Sequence, residues 1–403
     1  MSNMAFSYVV QKGDTVYRIA KRLGVRVQEI AAANPQLGNV DQIVPGQMLT
    51  IPQAVPNRYV VQRGDTFYYI TKRFDIAPSD LLAANPGLDP QRLQAGRTIL
   101  LPSGKRTAIV DTTVMYGYVE MMDDISALLQ AYPFIGCEVI GESVLRKDIP
   151  ALRIGTGPKR IHYQASIHAN EWITAPLLMK FAEEYAAAYS GGTLLRGRSA
   201  RKLYENATLW LAPMLNPDGV ELVQEGITPQ HPYYRELLDM NNGSFDFSKW
   251  KANIRGVDLN DQFPARWEAE RERRAAAGPG PSDYSGAAPL CEPEAKAIAD
   301  FTRSKDFSLI VSFHTQGREI YWNYRDLEPF ESESIAKRFG QASGYRVVKL
   351  TGSDAGCKDW FIQDFRRPGF TVEAGIGVNP LPIGQFPAIY NETVGIMLEG
   401  LNV

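Results

Sequence analysis

A chain of 403 residues exceeds one ordinary domain, and the usual span of about 100–200 residues per domain points to two or three. Its composition, 44% hydrophobic and 22% charged, is that of a globular protein, and no apolar run approaches the roughly 18 residues that cross a bilayer, which excludes helical membrane insertion. With Lys+Arg 43 against Asp+Glu 45 the net charge is −2, so no basic excess marks nucleic acid as the main partner. Cys137, Cys291 and Cys357 are odd in number and far apart, which argues against a disulfide framework and a zinc ribbon; Cys137 and Cys291 read as ordinary thiols. Met1 to Val10 lacks a basic stretch followed by a long apolar one, so no ordinary secretion signal is expected.

An internal repeat fills the first hundred residues. Tyr8 to Thr15 (YVVQKGDT) recurs as Tyr59 to Thr66 (YVVQRGDT), and the match continues through Ile19 and Ile70, Lys21 and Lys72, and the Asn-Pro pairs at Asn34 and Asn85. Each copy closes with an apolar strand that ends in proline, at Pro52 and Pro102. A short alternating strand meets a Gly-Asp-Thr turn able to cap a helix, and a second helix stops at Asn-Pro, so each unit reads βααβ. Taken singly, these glycines, aspartates and Asn-Pro pairs are turn and cap residues.

As an ordered set, twice over, they resemble the LysM module, with one copy over residues 6–53 and another over 57–103. That resemblance implies binding of N-acetylglucosamine-containing glycan in a shallow groove. The implied contacts are Gly13, Asp14, Thr15, Asn34 and Pro35 in the first copy and Gly64, Asp65, Thr66, Asn85 and Pro86 in the second. Two weak sites on one chain raise avidity without a new contact.

Ser103 to Thr107 carries no apolar periodicity and marks a boundary near residue 105. Beyond it, Met121–Tyr132 reads as an amphipathic helix ending before Pro133, and Cys137–Val144 and Ala151–Gly155 read as paired strands. Arg160–His168 reads as a strand leading into a helix over Thr174–Ala188. Further strands at Thr208–Ala212, Ser308–Phe313 and Gly369–Glu373 alternate with helices at Glu292–Arg303, Glu331–Ser343 and Pro387–Leu401. The expected class for residues 112–403 is α/β, a mixed and mostly parallel sheet flanked by helices, with reactive groups at the carboxyl ends of strands.

Only four histidines are present, His162, His168, His231 and His314. His168 and Glu171 sit where one strand ends and His314 closes another; two imidazoles and a carboxylate match an open catalytic zinc site. His162 lies mid-strand and reads as a core residue, and His231, in a loop before Pro232, as a surface one.

The surrounding motifs resemble the zinc carboxypeptidase family over about residues 112–403. They are His168 to Thr174 (HANEWIT), Leu215 to Gly219 (LNPDG), Gly256 to Asn260 (GVDLN), Ser312 to His314 and Phe370 to Glu373. The resemblance implies one zinc ion per chain held by His168, Glu171 and His314, Asp258 orienting His168, and Glu373 as general base.

Departures from that family bear on the substrate. Where the family grips a terminal carboxylate with Asn-Arg, this chain has Asn260 and Asp261, and an aspartate repels a carboxylate and welcomes an ammonium. The family's oxyanion-stabilising arginine corresponds to Lys251, with Arg255 as an alternative, and its mobile tyrosine has no match near Leu350–Gly352. Asp354 and Lys358 put both charge signs in the specificity-pocket region, unless they simply pair with each other or face solvent. With tandem LysM units in front, this pattern looks like the gamma-D-glutamyl-meso-diaminopimelate peptidase I subgroup, whose members cut that bond in wall peptides.

The resemblance therefore implies a zinc-dependent hydrolase of peptidoglycan stem peptides, tethered to glycan and associated with the bacterial wall or spore, or cytoplasmic until release. Alternatives are a carboxypeptidase on wall-derived peptides and a wall-binding adaptor with an inactive peptidase domain. Arg266–Pro281, charged and then Gly/Pro-rich, reads as a solvated loop or helix near the site.

Overall fold

The computed structural model describes residues 108–403 throughout. Ahead of them it describes 5–10, 16, 19, 30, 33–37, 43–44, 46–52, 57–61, 66–67, 70–71, 81–82, 84–85, 88–90, 93–94 and 96–101. The chain divides into two compact units, Met1–Thr107 and Ala108–Val403.

In the first unit, β1 (Ala5–Val9) pairs antiparallel with β2 (Met48–Pro52), and β3 (Asn57–Val60) with β4 (Thr98–Leu101). Equivalent residues of the repeat form separate small cores, Val10, Ile19, Ile30 and Leu49 in one and Val61, Ile70, Leu81 and Ile99 in the other. The side chain of Asn34 donates to Ile30 O (2.8 Å) and Thr50 O (2.6 Å) and accepts from Thr50 N (2.7 Å). Asn85 repeats all three bonds with Leu81 O, Leu100 O and Leu100 N. Both asparagines, expected at the glycan, tie a helix end to the closing strand, because buried backbone groups must find partners. Pro35 and Thr66 are exposed, while Gly13, Asp14, Thr15, Gly64, Asp65 and Pro86 lie outside the described residues.

The second unit begins with α1 (Tyr118–Ala131), β5 (Gly136–Glu142), β6 (Asp148–Ile154) and β7 (Lys159–Ala165). Then come α2 (Thr174–Ser190), a hairpin of β8 (Leu194–Leu195) and β9 (Arg198–Ser199), α3 (Ala200–Asn206), β10 (Ala207–Ala212), α4 (Pro217–Glu225) and α5 (Tyr234–Met240). The chain continues through α6 (Trp267–Arg274), α7 (Pro293–Lys305), β11 (Leu309–His314), β12 (Glu319–Tyr321) and α8 (Ser332–Ser343). It finishes with β13 (Arg346–Val348), α9 (Cys357–Phe365), β14 (Gly369–Glu373) and α10 (Phe386–Gly400).

Eight strands form one sheet in the order β13-β12-β14-β11-β7-β10-β6-β5. The middle strands β14, β11, β7 and β10 are mutually parallel, whereas β6 joins β10, β5 joins β6 and β12 joins β14 antiparallel. The expected mixed sheet is thus parallel across its four central strands, with antiparallel joins on either side and a parallel β12–β13 pair at one edge. Alternation decides which face each residue serves. Ile161, Tyr163, Leu309, Val311 and Phe313 join a core with residues of α1, α2, α8 and α10, while Ile310 faces a second core with α7 and α9. His162 belongs to that second face, fully buried and stacked on Phe307 with ring centroids 4.9 Å apart, and burial lowers its pKa to about 4.

Two expectations are corrected. The strand read as Arg160–His168 stops at Ala165, because Ser166 takes a left-handed φ of 49° that the pleat cannot accommodate. The segment Arg266–Pro281 is not simply solvated: it opens with α6, whose Trp267 is 5% and Glu270 0% exposed. His231 is half-buried, and Cys137 and Cys291 are exposed free thiols, with Cys357 free and buried.

Candidate active site

The site is assembled where the parallel strands end. After β7 the chain bends, and His168 leads into a single helical turn, Ala169–Glu171, that returns Glu171 to the same side. Thr174 locks this bend, its Oγ1 donating to Glu171 O (2.7 Å) and accepting from Ser166 N (3.0 Å). Asn216 explains the LNPDG motif: it caps α4 by accepting from Gly219 N (3.1 Å) and donates to Ile167 O (3.2 Å) and Ala252 O (3.0 Å). A Cβ at Gly219 would stand 2.6 Å from Asn216 Oδ1 and 2.8 Å from Ala169 Cβ, so only glycine fits. One asparagine thereby joins the His168 bend to the segment bearing Lys251, and Ala169 N donates to Lys251 O (3.0 Å).

Nδ1 of His168 lies 2.9 Å from Glu171 Oε1 and 3.1 Å from Nδ1 of His314, which lies 3.0 Å from Glu171 Oε2. All three residues are buried. Ligands about 2.0–2.2 Å from a shared zinc ion stand roughly 3 Å apart, so this triangle would fit a zinc ion. Burial pushes the Glu171 carboxyl up, but His168 and His314 outweigh it and hold that carboxyl below the usual range.

Asp258, fully buried, places Oδ1 3.2 Å from Nε2 of His168 and Oδ2 3.6 Å from Nζ of Lys251. Burial resists its charge, yet Lys251 and then His168 keep its pKa well below the carboxylate norm. Glu373 ends β14 directly opposite His314 in the parallel ladder, on the same face. Burial is the largest influence on its carboxyl; with Glu171 adding and His314 and Lys251 opposing, its pKa rises to about 7. Arg255 turns elsewhere, its Nη1 lying 3.5 Å from Glu292 Oε2.

Asp261 is not open to an incoming ammonium. It is 2% exposed, and the guanidinium of Arg274 at the end of α6 lies 2.8 Å from its Oδ2 and donates to its Oδ1 at 3.2 Å. Burial and then Asp258 push the Asp261 carboxyl well up, with Arg274 working against them. Asn260 accepts from Cys357 N at 3.4 Å and so fastens the turn after Asp258 to the start of α9.

A cavity of about 200 Å³ is lined by Asn323, Arg325, Lys349, Thr351, Lys358 and Asp359 among others. Asp354 and Lys358 do not pair with each other. Asp354 accepts from Tyr324 Oη (2.6 Å) and from Arg325 Nε (2.7 Å) and Nη2 (2.8 Å). Lys358, 5% exposed, donates to Asn323 O (2.7 Å) and pairs with Asp359. Tyr324, Arg325 and Arg274 escaped the sequence reading, since nothing local distinguishes them from surface residues.

The zinc carboxypeptidase family matches residues 121–377, and the LysM domain matches residues 8–52 and 59–102. Gamma-D-glutamyl-L-diamino acid endopeptidase 1 of Lysinibacillus sphaericus is 46% identical over 392 residues, covering 85% of this chain and 99% of the relative. The uncharacterized protein YqgT of Bacillus subtilis (strain 168) is 38% identical over 330 residues, 80% of this chain and 88% of the relative. In fold alone, thrombin activatable fibrinolysis inhibitor aligns with a TM-score of 0.58 at 16% identity over 99% of this chain and 98% of that one. Carboxypeptidase A from Helicoverpa armigera aligns at 0.55 and 16% identity over 94% of each chain. Ordered motifs, a converging His-Glu-His triangle and a match across most of the second unit leave one conclusion: the chain is a metallopeptidase belonging to the zinc carboxypeptidase family, carrying two LysM domains.

Proposed function

We propose that this protein hydrolyses the γ-D-glutamyl bond to a diamino acid in peptidoglycan stem peptides, and that its LysM domains hold it on wall glycan. The Lysinibacillus relative's name supports the bond, and the domain pair supports the wall. The observation that carries the substrate class is the cavity, where a buried ammonium, Lys358, and exposed cations stand beside Asp326 and Asp359. Such a lining suits a side chain that ends in both a carboxylate and an ammonium, as in meso-diaminopimelate. Among the described residues no helix is long and apolar enough to cross a membrane.

In this reading His168 Nδ1, Glu171 and His314 Nδ1 hold zinc. Zinc bound there supplies Lewis acidity, polarising a carbonyl and acidifying water. Asp258 fixes the ring of His168 from its far nitrogen. Glu373, with a pKa near neutrality, takes a proton from the attacking water and passes it to the leaving amine. Lys251, whose charge Asp258, Glu171 and Asp261 support against burial, offers its ammonium to the developing oxyanion. Arg255, paired with Glu292, is the weaker candidate for that part.

Mass spectrometry of products from L-Ala-γ-D-Glu-meso-diaminopimelyl-D-Ala tests the reading. Release of diaminopimelyl-D-Ala supports it; stepwise loss of D-Ala reassigns the protein to end trimming. Co-sedimentation of the full chain with insoluble peptidoglycan, competed by N-acetylglucosamine oligomers, tests the tether.

A further inference from the structure

A γ-linked glutamyl residue necessarily leaves its α-carboxylate free, and the stem ends in another carboxylate. Residue 261, an aspartate, cannot receive either. A guanidinium reaches the same place from α6.

Arg274 is fixed on its inner side by two buried carboxylates, Asp261 at 2.8 and 3.2 Å and Glu270 Oε1 at 2.9 Å. Arg273 shares Glu270, so two arginines and two buried carboxyl groups form one cluster. The third partner differs. Asp283 accepts from Nη1 at 2.7 Å, but its side chain is 45% exposed and its backbone holds a left-handed φ of 68°. Each terminal nitrogen of Arg274 keeps an N–H with no partner among the described residues.

Its setting is the rim of the site. Asp283 N approaches Asp258 Oδ2 (3.4 Å), the carboxylate shared with His168 and Lys251. On the other side Glu270 Oε2 accepts from Asp354 N (3.2 Å), in the segment that carries Lys358. Arg274 therefore stands between the catalytic cluster and the charged cavity, and its side chain is 25% exposed.

We propose that Arg274 receives a carboxylate of the substrate and that Asp283 holds that place until substrate arrives. Exchanging one carboxylate for another keeps the local charge constant, so the anchored guanidinium need not move. This rests on the stem-peptide reading above and makes Arg274 a specificity-determining residue for it.

The experiment measures KM and kcat of the zinc-loaded full chain on three tetrapeptides. One is the free acid, one carries a carboxamide on the glutamyl α-carbon, and one carries a C-terminal carboxamide. Wild type should show KM roughly ten- to hundredfold higher on one of the two amides, the size of a lost charge-assisted contact, and that amide identifies the carboxylate. R274Q should show the raised KM on the free acid already and lose the discrimination, with kcat less affected; R274K should recover part of it. D283A, at a solvent-reaching position, should lower KM on the free acid several-fold by removing the competitor. Equal KM for acid and both amides in wild type, discrimination that persists in R274Q, or a raised KM in D283A overturns the inference. Should R274Q fail to fold or hold zinc, R274K and D283A decide on the same readouts. Absence of glutamyl-bond cleavage by wild type on every substrate overturns the stem-peptide reading instead.

Discussion

Asp258 serves His168 and Lys251 at once, one oxygen 3.2 Å from the far imidazole nitrogen and the other 3.6 Å from the ammonium. A single buried carboxylate thus sets both the orientation of a metal ligand and the position of the cation proposed for the oxyanion. Asp258→Asn keeps the shape and removes the charge. It should weaken zinc binding by about 10–100-fold, as loss of a ligand-orienting partner generally does, and lower kcat as well. Zinc competition against a chelator checks the first effect. Unchanged affinity would remove Asp258 from that role.

Glu373 works as a base only when ionised. Its carboxyl is pushed up to about 7, chiefly by burial, and a nearby dication lowers a carboxyl's pKa, so the acidic limb of kcat/KM should lie at or below that value. Activity should fall as pH drops through the limb. Glu373→Gln should lose about 10²–10⁴ in kcat, retain zinc and show no such limb. A variant with wild-type turnover would sink the assignment.

Lys358 should decide which diamino acid is accepted. Removing its buried ammonium in Lys358→Met should cut kcat/KM for stems containing meso-diaminopimelate roughly 10–100-fold while sparing stems with L-lysine, which lack the second carboxylate. The measurement is the ratio of the two substrates. A ratio equal to wild type would place the recognition elsewhere.

Glu294, 1% exposed, accepts from Val144 N (3.1 Å) and Asn253 Nδ2 (3.3 Å). Burial is the largest cause of its raised pKa, about 7 against 4.5 for a free glutamate; backbone donors oppose the rise, and Asp218 and Glu292 add to it. The folded chain therefore binds this proton more tightly than the unfolded chain. Stability from Glu294 is present in full below pH 4.5 and is lost as pH rises through about 7, by about 3 kcal/mol at most. Glu294→Gln cannot ionise, so its stability deficit relative to wild type should shrink between pH 5 and pH 8. Denaturant melts at the two values check this, and a constant deficit would refute it.

Much of the chemistry was legible because it is local. His168 and Glu171 share one bend, and His314 and Glu373 each close a strand, so the motifs that carry them stand out in order along the chain, and their resemblance to a known family nominated them. Elsewhere a short polar side chain has a structural use that its sequence position does not announce. Asn34 and Asn85 have the look of groove residues, yet each satisfies a helix end and a strand 15 or 16 positions away. The charged run after Arg266 resembles a solvated surface because its pattern does not reveal that Trp267 and Glu270 face inward.

By itself, the sequence determined the duplicated βααβ units, the α/β class and the departure at Asp261, since each is read from contiguous stretches whose spacing follows backbone geometry; the zinc triad followed only from the ordered motifs and their family resemblance, because Glu171 and His314 lie 143 positions apart. The tertiary structure alone decided how charges are shared. It gave Asp261 to Arg274 across 13 positions, Asp354 to Arg325 across 29 and the Lys358 ammonium to Asn323 O across 35. Coulomb energy and desolvation depend on distance and burial in space, and neither quantity is encoded in the order of residues along the chain.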